Sequence, residues 1–484
     1  MPISRWSGAS GGSSFCCSRF SSSIWDTLHS MARSEFGNAL SDFAESALDA
    51  VRRVDAGLDA EVYCYRGRDR GVELRDGAVE SIQESEEAGV GLRLFKGTRM
   101  AFSFSGGLEE RALDGLVRSA REQLPHLVDD EYRGLPGAVA PAPAPGLEES
   151  LNDPSLFRRP LAESVPRLEE AHRAASGRPG IKKVLQVGYG ETVSEVAIAS
   201  TAGVRAFETG TSAGVGLYAM GEDGGEIQVG SASLSARKAA DLDWDRVVSE
   251  AVFRTTSLLH AKKLPSKRRA VLFDPWVAGE ILDLVGGPMV AEAVQRGRSL
   301  FKGKLGARVA SPAVSLIDDP LLPGGVTSGR FDDEGVPTRN KMMIEDGVLR
   351  DYFYDSYTAR RDARASNGCA GRSGFKGLPG PTSTNFFLKP GKISRDSLIR
   401  DTKDGILVFE IMGMHTADPV SGEMSVGVSG VAIENGEIVH GIRGAMLSTN
   451  LLDLLAGVDA VADDLTFYGA TAAPTFRVSG LSVA

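Results

Sequence analysis

The sequence predicts an α+β fold: duplicated strand-strand-strand-helix units in the N-terminal half, followed by a mainly β C-terminal domain with inserted helices. Three observations predict it. Ala88-Gly89-Val90-Gly91-Leu92 recurs letter for letter as Ala213-Gly214-Val215-Gly216-Leu217. Two short alternating stretches precede each copy, 71–74 with 79–83 and 196–199 with 204–207, and more strand-like residues and a helix follow. Beyond residue 263, apolar runs are joined by Asp-Gly and Asn-Gly, the turn dipeptides of hairpins.

Residues 1–30 stand apart. They are rich in Ser, carry Arg5 and Arg19, and hold no acidic residue before Asp26. They read as a disordered extension, or as an upstream start with Met31 as the true one. Gly8-Ala9-Ser10-Gly11-Gly12 has the spacing of a nucleophile elbow but lacks the strand before it and the helix after it. Residues 31–134 form the first α/β unit. Phe36, Leu40, Phe43, Ala47, Leu48 and Val51 make a helical apolar stripe, and Leu113, Leu116, Val117 and Ala120 make another. The Pro-, Ala- and Gly-dense stretch 135–150 is a linker. Residues 151–262 are the central repeat unit, opening with a helical stretch at 161–175.

Residues 263–484 are the β-rich domain. Asp274-Pro275 opens a helix, Asp as N-cap and Pro at the first helical position, and Gly286-Gly287-Pro288 ends it. Residues 342–344 and 348–354 flank Asp346-Gly347, and 431–433 and 438–439 flank Asn435-Gly436. Both read as hairpins.

Composition narrows the function. A chain of 484 residues fits two or three domains. A net charge of −10 argues against a phosphate-binding surface, and the basic stretch from Lys262-Lys263 to Lys267-Arg268-Arg269 reads as a solvated joint. No segment reaches the roughly 18 apolar residues of a membrane span. The best candidate, 271–294, is broken by Asp274, Glu280, Asp283 and Glu292. Four cysteines without a Cys-x-x-Cys suggest neither a disulfide framework nor a structural zinc site, and point to a reducing cytoplasm. None of the six histidines is followed by Glu, as a zinc-peptidase helix requires. Gly188-Tyr189-Gly190 starts like a dinucleotide fingerprint and fails from Glu191.

The C-terminal third carries a resemblance. Phe331-Asp332-Asp333-Glu334-Gly335-Val336-Pro337-Thr338, Asp346-Gly347-Val348-Leu349 and Ser356-Tyr357-Thr358-Ala359-Arg360 are similar to the TldD/PmbA family, also called the modulator of DNA gyrase family. So are Pro381-Thr382-Ser383-Thr384-Asn385, Ile433-Glu434-Asn435-Gly436 and the closing Pro474-Thr475-Phe476-Arg477-Val478. The chain resembles the PmbA/TldE branch from about residue 58 to its end.

The TldD subunit of that family carries a His-Glu-x-x-x-His helix and a C-terminal Cys as zinc ligands. Aligned on Glu280, the histidine positions hold Gly279 and Leu284, and the Cys position falls near Phe467-Tyr468. The resemblance therefore implies a metallopeptidase family member without catalytic residues or metal of its own, zinc residing in a TldD-like partner. The implied heterodimer encloses a cavity where extended, unfolded peptides are cut. Candidates for peptide contact are Gly371, Arg372 and Ser373, then Met412, Gly413, His415 and Gly422. Arg372 offers a guanidinium to a carboxylate and His415 a donor to a backbone carbonyl. Two other readings are a homodimer that binds peptides or small ligands without cutting them, and a hydrolase built on His415, His440 and nearby acids.

Overall fold

A computed structural model describes residues 32–484, with side chains from residue 39. The expectations for residues 1–30, including Cys16, Cys17 and the 8–12 run, lie outside the described residues. The chain divides into two units at Ala39 and Leu40. The first contains the opening turns of α1 (Ala32–Val54), and the second holds all strands among the described residues.

The two repeats share one sheet. It is built from β1 (Asp59–Arg75), β2 (Ala78–Lys96), β3 (Arg99–Gly106), β4 (Ile181–Ser200), β5 (Arg205–Asp223) and β6 (Glu226–Ala236). Their order is β3-β2-β1-β4-β5-β6, antiparallel throughout. The seam is the β1–β4 ladder, from Glu61 opposite Ser200 to Arg75 opposite Gln186. Each copy of Ala-Gly-Val-Gly-Leu therefore lies one strand out from the seam, in β2 and in β5. Leu40, Ala47, Leu48 and Val51 of α1 pack with α2 (Glu110–Gln123) on β1 and β2. Helices α3 (Val165–Ser176) and α4 (Trp244–Thr256) cover the β4–β5 half.

The short stretches expected before each copy are parts of longer strands. Residues 79–83 and 88–92 belong to one continuous β2, and 204–207 lead straight into β5. Glu84-Ser85-Glu86-Glu87 breaks the apolar alternation because this part of the ribbon is exposed. Opposite charge holds it: Arg68 lies 2.9 Å from Glu84 and 3.9 Å from Glu86 across the ladder.

The C-terminal part holds β7 (Lys267–Phe273), α5 (Pro275–Gly286), β8 (Leu316–Asp318), β9 (Lys341–Glu345) and β10 (Val348–Leu349). After them come β11 (Ala370–Gly371), β12 (Gly380–Pro381), β13 (Phe386–Leu388), β14 (Asp404–Met412), β15 (Glu423–Glu434) and β16 (Glu437–Asn450). The last are β17 (Val458–Val461), β18 (Thr466–Phe467), β19 (Thr471–Ala473) and β20 (Phe476–Val483). Strands β16-β15-β14-β7-β20 close on themselves, because Leu447 of β16 pairs with Val483 of β20. A second sheet runs β10-β9-β8-β13-β19-β18. Helix α5 lies between the two, touching β7 and β14 of one and β13 and β19 of the other. Both hairpin turns form as their dipeptides require, with φ of 46° and 82° at Asp346 and Gly347 and 51° and 83° at Asn435 and Gly436. The arm expected at 348–354 is only two residues long, because Phe353 pairs instead with Met289 and Ala291.

Ion pairs and one aromatic ring fasten the N-terminal sheet to the C-terminal domain. Asp332 folds the 331–338 turn by accepting from the Glu334 and Val336 amides, both at 2.9 Å, and from the Ala370 amide at 3.0 Å. Glu334 then accepts from Arg93 at 3.0 Å, and Arg93 and Arg372 both bond Glu61. The side chains of Glu61, Arg93 and Arg372 are at most 5% exposed. Burial alone would raise the Glu61 carboxyl, but the Arg372 and Arg93 guanidiniums outweigh it and hold it below the ordinary value. Beside this network, Phe375 packs on β2, its ring against Gly89 and its carbonyl oxygen against Gly91.

Candidate functional site

Helix α5 starts where the sequence places it. The Asp274 carboxylate accepts from the Val277 amide at 3.0 Å, with Pro275 in the first turn. Of the three positions aligned on the zinc motif, Gly279 faces the β18–β19 hairpin. Gly279 is buried, and a Cβ there would sit 3.5 Å from the Thr471 carbonyl oxygen. Leu284 packs as a half-buried hydrocarbon on the main core.

Glu280 carries the chemistry that remains. Its carboxyl is pushed up to about 7, first by burial and then by the negative charges of Asp274 and Asp283. The Trp276 indole N–H donates to it at 3.2 Å. Tyr468 stands where a sulfur ligand would be expected. Its ring meets Trp276 edge-on at 5.0 Å, and its hydroxyl bonds Glu250 at 3.0 Å. The Arg254 guanidinium lies 5.2 Å from the centre of the Trp276 ring.

These residues do not fit zinc. Gly279, Leu284 and the 467–468 pair supply no imidazole or thiolate, which leaves one carboxylate where at least three protein ligands are needed. The Arg254 charge beside that carboxylate repels a dication. Among the described residues, no group of three or more His, Cys, Asp or Glu is placed to hold a metal ion.

The peptide-contact candidates fall on separate elements. Gly371 lines a cavity of about 280 Å³ between β4–β5 and the 320–338 and 370–384 segments. Arg372 is committed elsewhere: it bonds Glu61, donates from Nε to the Asp333 carbonyl at 3.0 Å and covers the Tyr63 ring at 4.7 Å. Its guanidinium is thus not free to meet a peptide carboxylate. Ser373 is exposed on the following turn. Met412 and His415 are exposed, and Gly413 and Gly422 take left-handed φ of 90° and 80° in the β14–β15 connection. No hydrogen bond or ion pair among the described residues joins 371–373 to 412–422. The His440 ring bonds its neighbour's carbonyl, Gly441, at 3.0 Å rather than an acid. Cys369 is an inert thiol, pushed up to about 12 by burial.

Sequence reading missed two groups. In the 280 Å³ cavity, Glu208 is raised by burial and accepts from the Arg330 amide at 2.7 Å, while Arg237 is held by the carbonyls of Gly325 and Ser328 at 2.9 and 2.7 Å. Near α5, Arg246, Glu250 and Arg254 share one face of α4. Their spacing of four residues was the available signal, but that pattern alone also describes an ordinary solvated helix face.

The chain matches three successive regions of one family: PmbA/TldA metallopeptidase domain 1 over residues 60–124, the central domain over 154–259 and the C-terminal domain over 266–484. A metalloprotease of Methanocaldococcus jannaschii is 26% identical, the alignment covering 85% of this chain and 91% of that one. Metalloprotease PmbA of Escherichia coli O157:H7 is 24% identical, over 84% and 88% of the two chains. A Thermotoga maritima structure described as a modulator of DNA gyrase superposes with a TM-score of 0.82 at 26% identity, covering 91% of this chain and all of that one. TldE from Thermococcus kodakarensis shares the fold, with a TM-score of 0.82 at 21% identity over 90% of this chain and 100% of that one. With all three regions present in order, the protein belongs to the PmbA/TldD metallopeptidase family.

Proposed function

We propose that this chain is a non-catalytic, PmbA/TldE-like subunit that pairs in the cytoplasm with a TldD-like zinc metallopeptidase and helps enclose a cavity for proteolysis of unfolded peptides. The observation that carries the reading is the α5 remnant. The helix and the hairpin facing it are in place, while Gly279, Leu284, Trp276 and Tyr468 offer neither imidazole nor thiolate, and the Tyr468 hydroxyl is committed to Glu250. An extended peptide held by backbone pairing is bound without sequence selectivity, which suits a wall subunit that does no chemistry.

Co-expression with a TldD-like chain tests it. A stable complex is expected whose peptide cleavage disappears when only the partner's histidines are replaced. Cleavage by this chain alone would overturn the proposal. A second reading, a homodimer that binds peptides or small ligands without cutting them, draws support from the cavity of about 470 Å³ beside α5. Ligand binding by the isolated chain, with no complex formed on co-expression, would favour it.

A further inference from the structure

The repeated Ala-Gly-Val-Gly-Leu motif offers the same kind of sheet face twice, and only one of the two is filled. On the first copy, Phe375 sets its ring against Gly89 and its carbonyl oxygen against Gly91. On the second, Gly214 and Gly216 lie on the face opposite α3 and α4. They pair with Gly190 and Gly188 of β4 and with Ser235 and Ser233 of β6. Gly71 of β1 extends the row beside Gly190. For all five glycines, every atom within 4 Å of a Cβ position belongs to the sheet itself. Nothing else among the described residues lies on them.

Exposed apolar side chains continue this face. Tyr218 and Met220 follow the glycines along β5, with Val229 opposite Met220 and Ile227 opposite Glu222. Tyr218, Val229 and Ile227 are 45%, 50% and 56% exposed, and Arg75, Lys183 and Glu222 flank them with charge. An apolar centre with a polar rim is the anatomy of a protein interface. The stretch runs about 33 Å from Ser212 to Glu222 and about 14 Å from β1 to β6. That is over half of the roughly 800 Å² one partner contributes to a stable complex. The face also continues, along the same strands, into the part that the C-terminal domain already covers at Tyr63, Val196 and Ile198.

The occupant must supply what the face lacks. A second copy presenting the same surface across a two-fold axis would set glycine against glycine and leave the hollow empty. An extended peptide pairs through a strand edge, whereas β5 is bonded on both sides, to β4 and to β6. A protein surface with an aromatic side chain standing out from it fits, as Phe375 fits the first copy. We propose that a TldD-like partner docks on this face of β4, β5 and β6 and seats an aromatic side chain over Gly214 and Gly216, an inference that rests on the pairing proposed above.

Affinity for a TldD-like chain tests it, measured by sedimentation for the full chain and three variants. Gly216→Val fills the hollow, its Cβ having no neighbour nearer than 3.7 Å, and is expected to weaken the complex at least about tenfold. Tyr218→Ser with Val229→Ser is expected to do the same by removing apolar contact. Ile438→Ser with Val439→Ser, similarly exposed on β16, is expected to change nothing. In hydroxyl-radical footprinting of the unmodified chain, Tyr218 should be oxidised when free and protected in the complex. Should a variant lower the melting temperature, that footprint decides alone. Tyr218 left unprotected in a formed complex, or both face variants pairing as tightly as the original, would overturn this face and leave the pairing standing. No complex with the unmodified chain would overturn both.

Discussion

Replacing Gly89 by alanine is expected to destabilise the protein, while the same change at Gly214, its counterpart in the repeated motif, is not. An ideal Cβ on Gly89 would fall among the ring carbons of Phe375, the most distant of the three nearest atoms only 2.5 Å away. Ordinary contact begins at 3.4 Å and the nearest ring carbon is at 2.3 Å, so the ring would have to retreat by about an ångström. It has little room, being 2% exposed and packed with Tyr63, Ile198, Val204 and Ala206. Overpacking of this kind costs about 1–3 kcal/mol. At Gly214 the nearest atoms to a Cβ are 3.5 Å away, and Ala in a strand interior is favoured over Gly by about 0.5–1 kcal/mol. Urea unfolding of both variants measures the difference. A Phe375→Ala background supplies the control, since the cost of Gly89→Ala should nearly vanish once the ring is gone. Equal effects of the two glycine substitutions, or an undiminished cost without Phe375, would refute the reasoning.

Arg93→Met is expected to cost about 3–5 kcal/mol, because Glu61 and Glu334 stay buried after losing a shared partner; a loss under about 1 kcal/mol in urea unfolding would show that the network does not fasten the two parts. Glu61, held low by Arg372 and Arg93 against its burial, lends stability that is present above the ordinary value of 4.5 and lost as pH falls below it, so a melting series under acid should show early loss that Glu61→Gln lessens. Glu280 has the opposite sign: raised to about 7, it keeps its proton longer in the folded state, so stability falls as pH rises from 4.5 to 7, and Glu280→Gln should flatten the melting temperature over that window. Cys64 and Cys369, both buried, should stay unmodified when the native chain is treated with iodoacetamide and mapped by mass; labelling of either before unfolding would contradict their burial.

Much of the scaffold was legible because it rests on local rules. The α1 and α2 stripes, the Asp274 cap and the two Xaa-Gly turns are set by residues within one or two turns of each other. The register of the shared sheet was not, since the β1–β4 seam joins residues more than a hundred positions apart and the exposed Gln83-to-Glu87 run hides the continuity of β2. The two Ala-Gly-Val-Gly-Leu copies read alike, yet only the first receives a ring from the C-terminal domain. In the candidate site, the substitutions at Gly279 and Leu284 could be read directly. Arg372 could not, because its partner Glu61 sits at the other end of the chain.

Zinc content is the most direct test of the central claim, that this chain keeps the frame of a metallopeptidase without its metal site. The chain purified alone should hold far less than one zinc per molecule after exposure to the metal and removal of excess, while its complex with a TldD-like partner should hold one per pair and lose it when the partner's histidines are replaced. One tightly held zinc per molecule in the isolated chain would contradict the account.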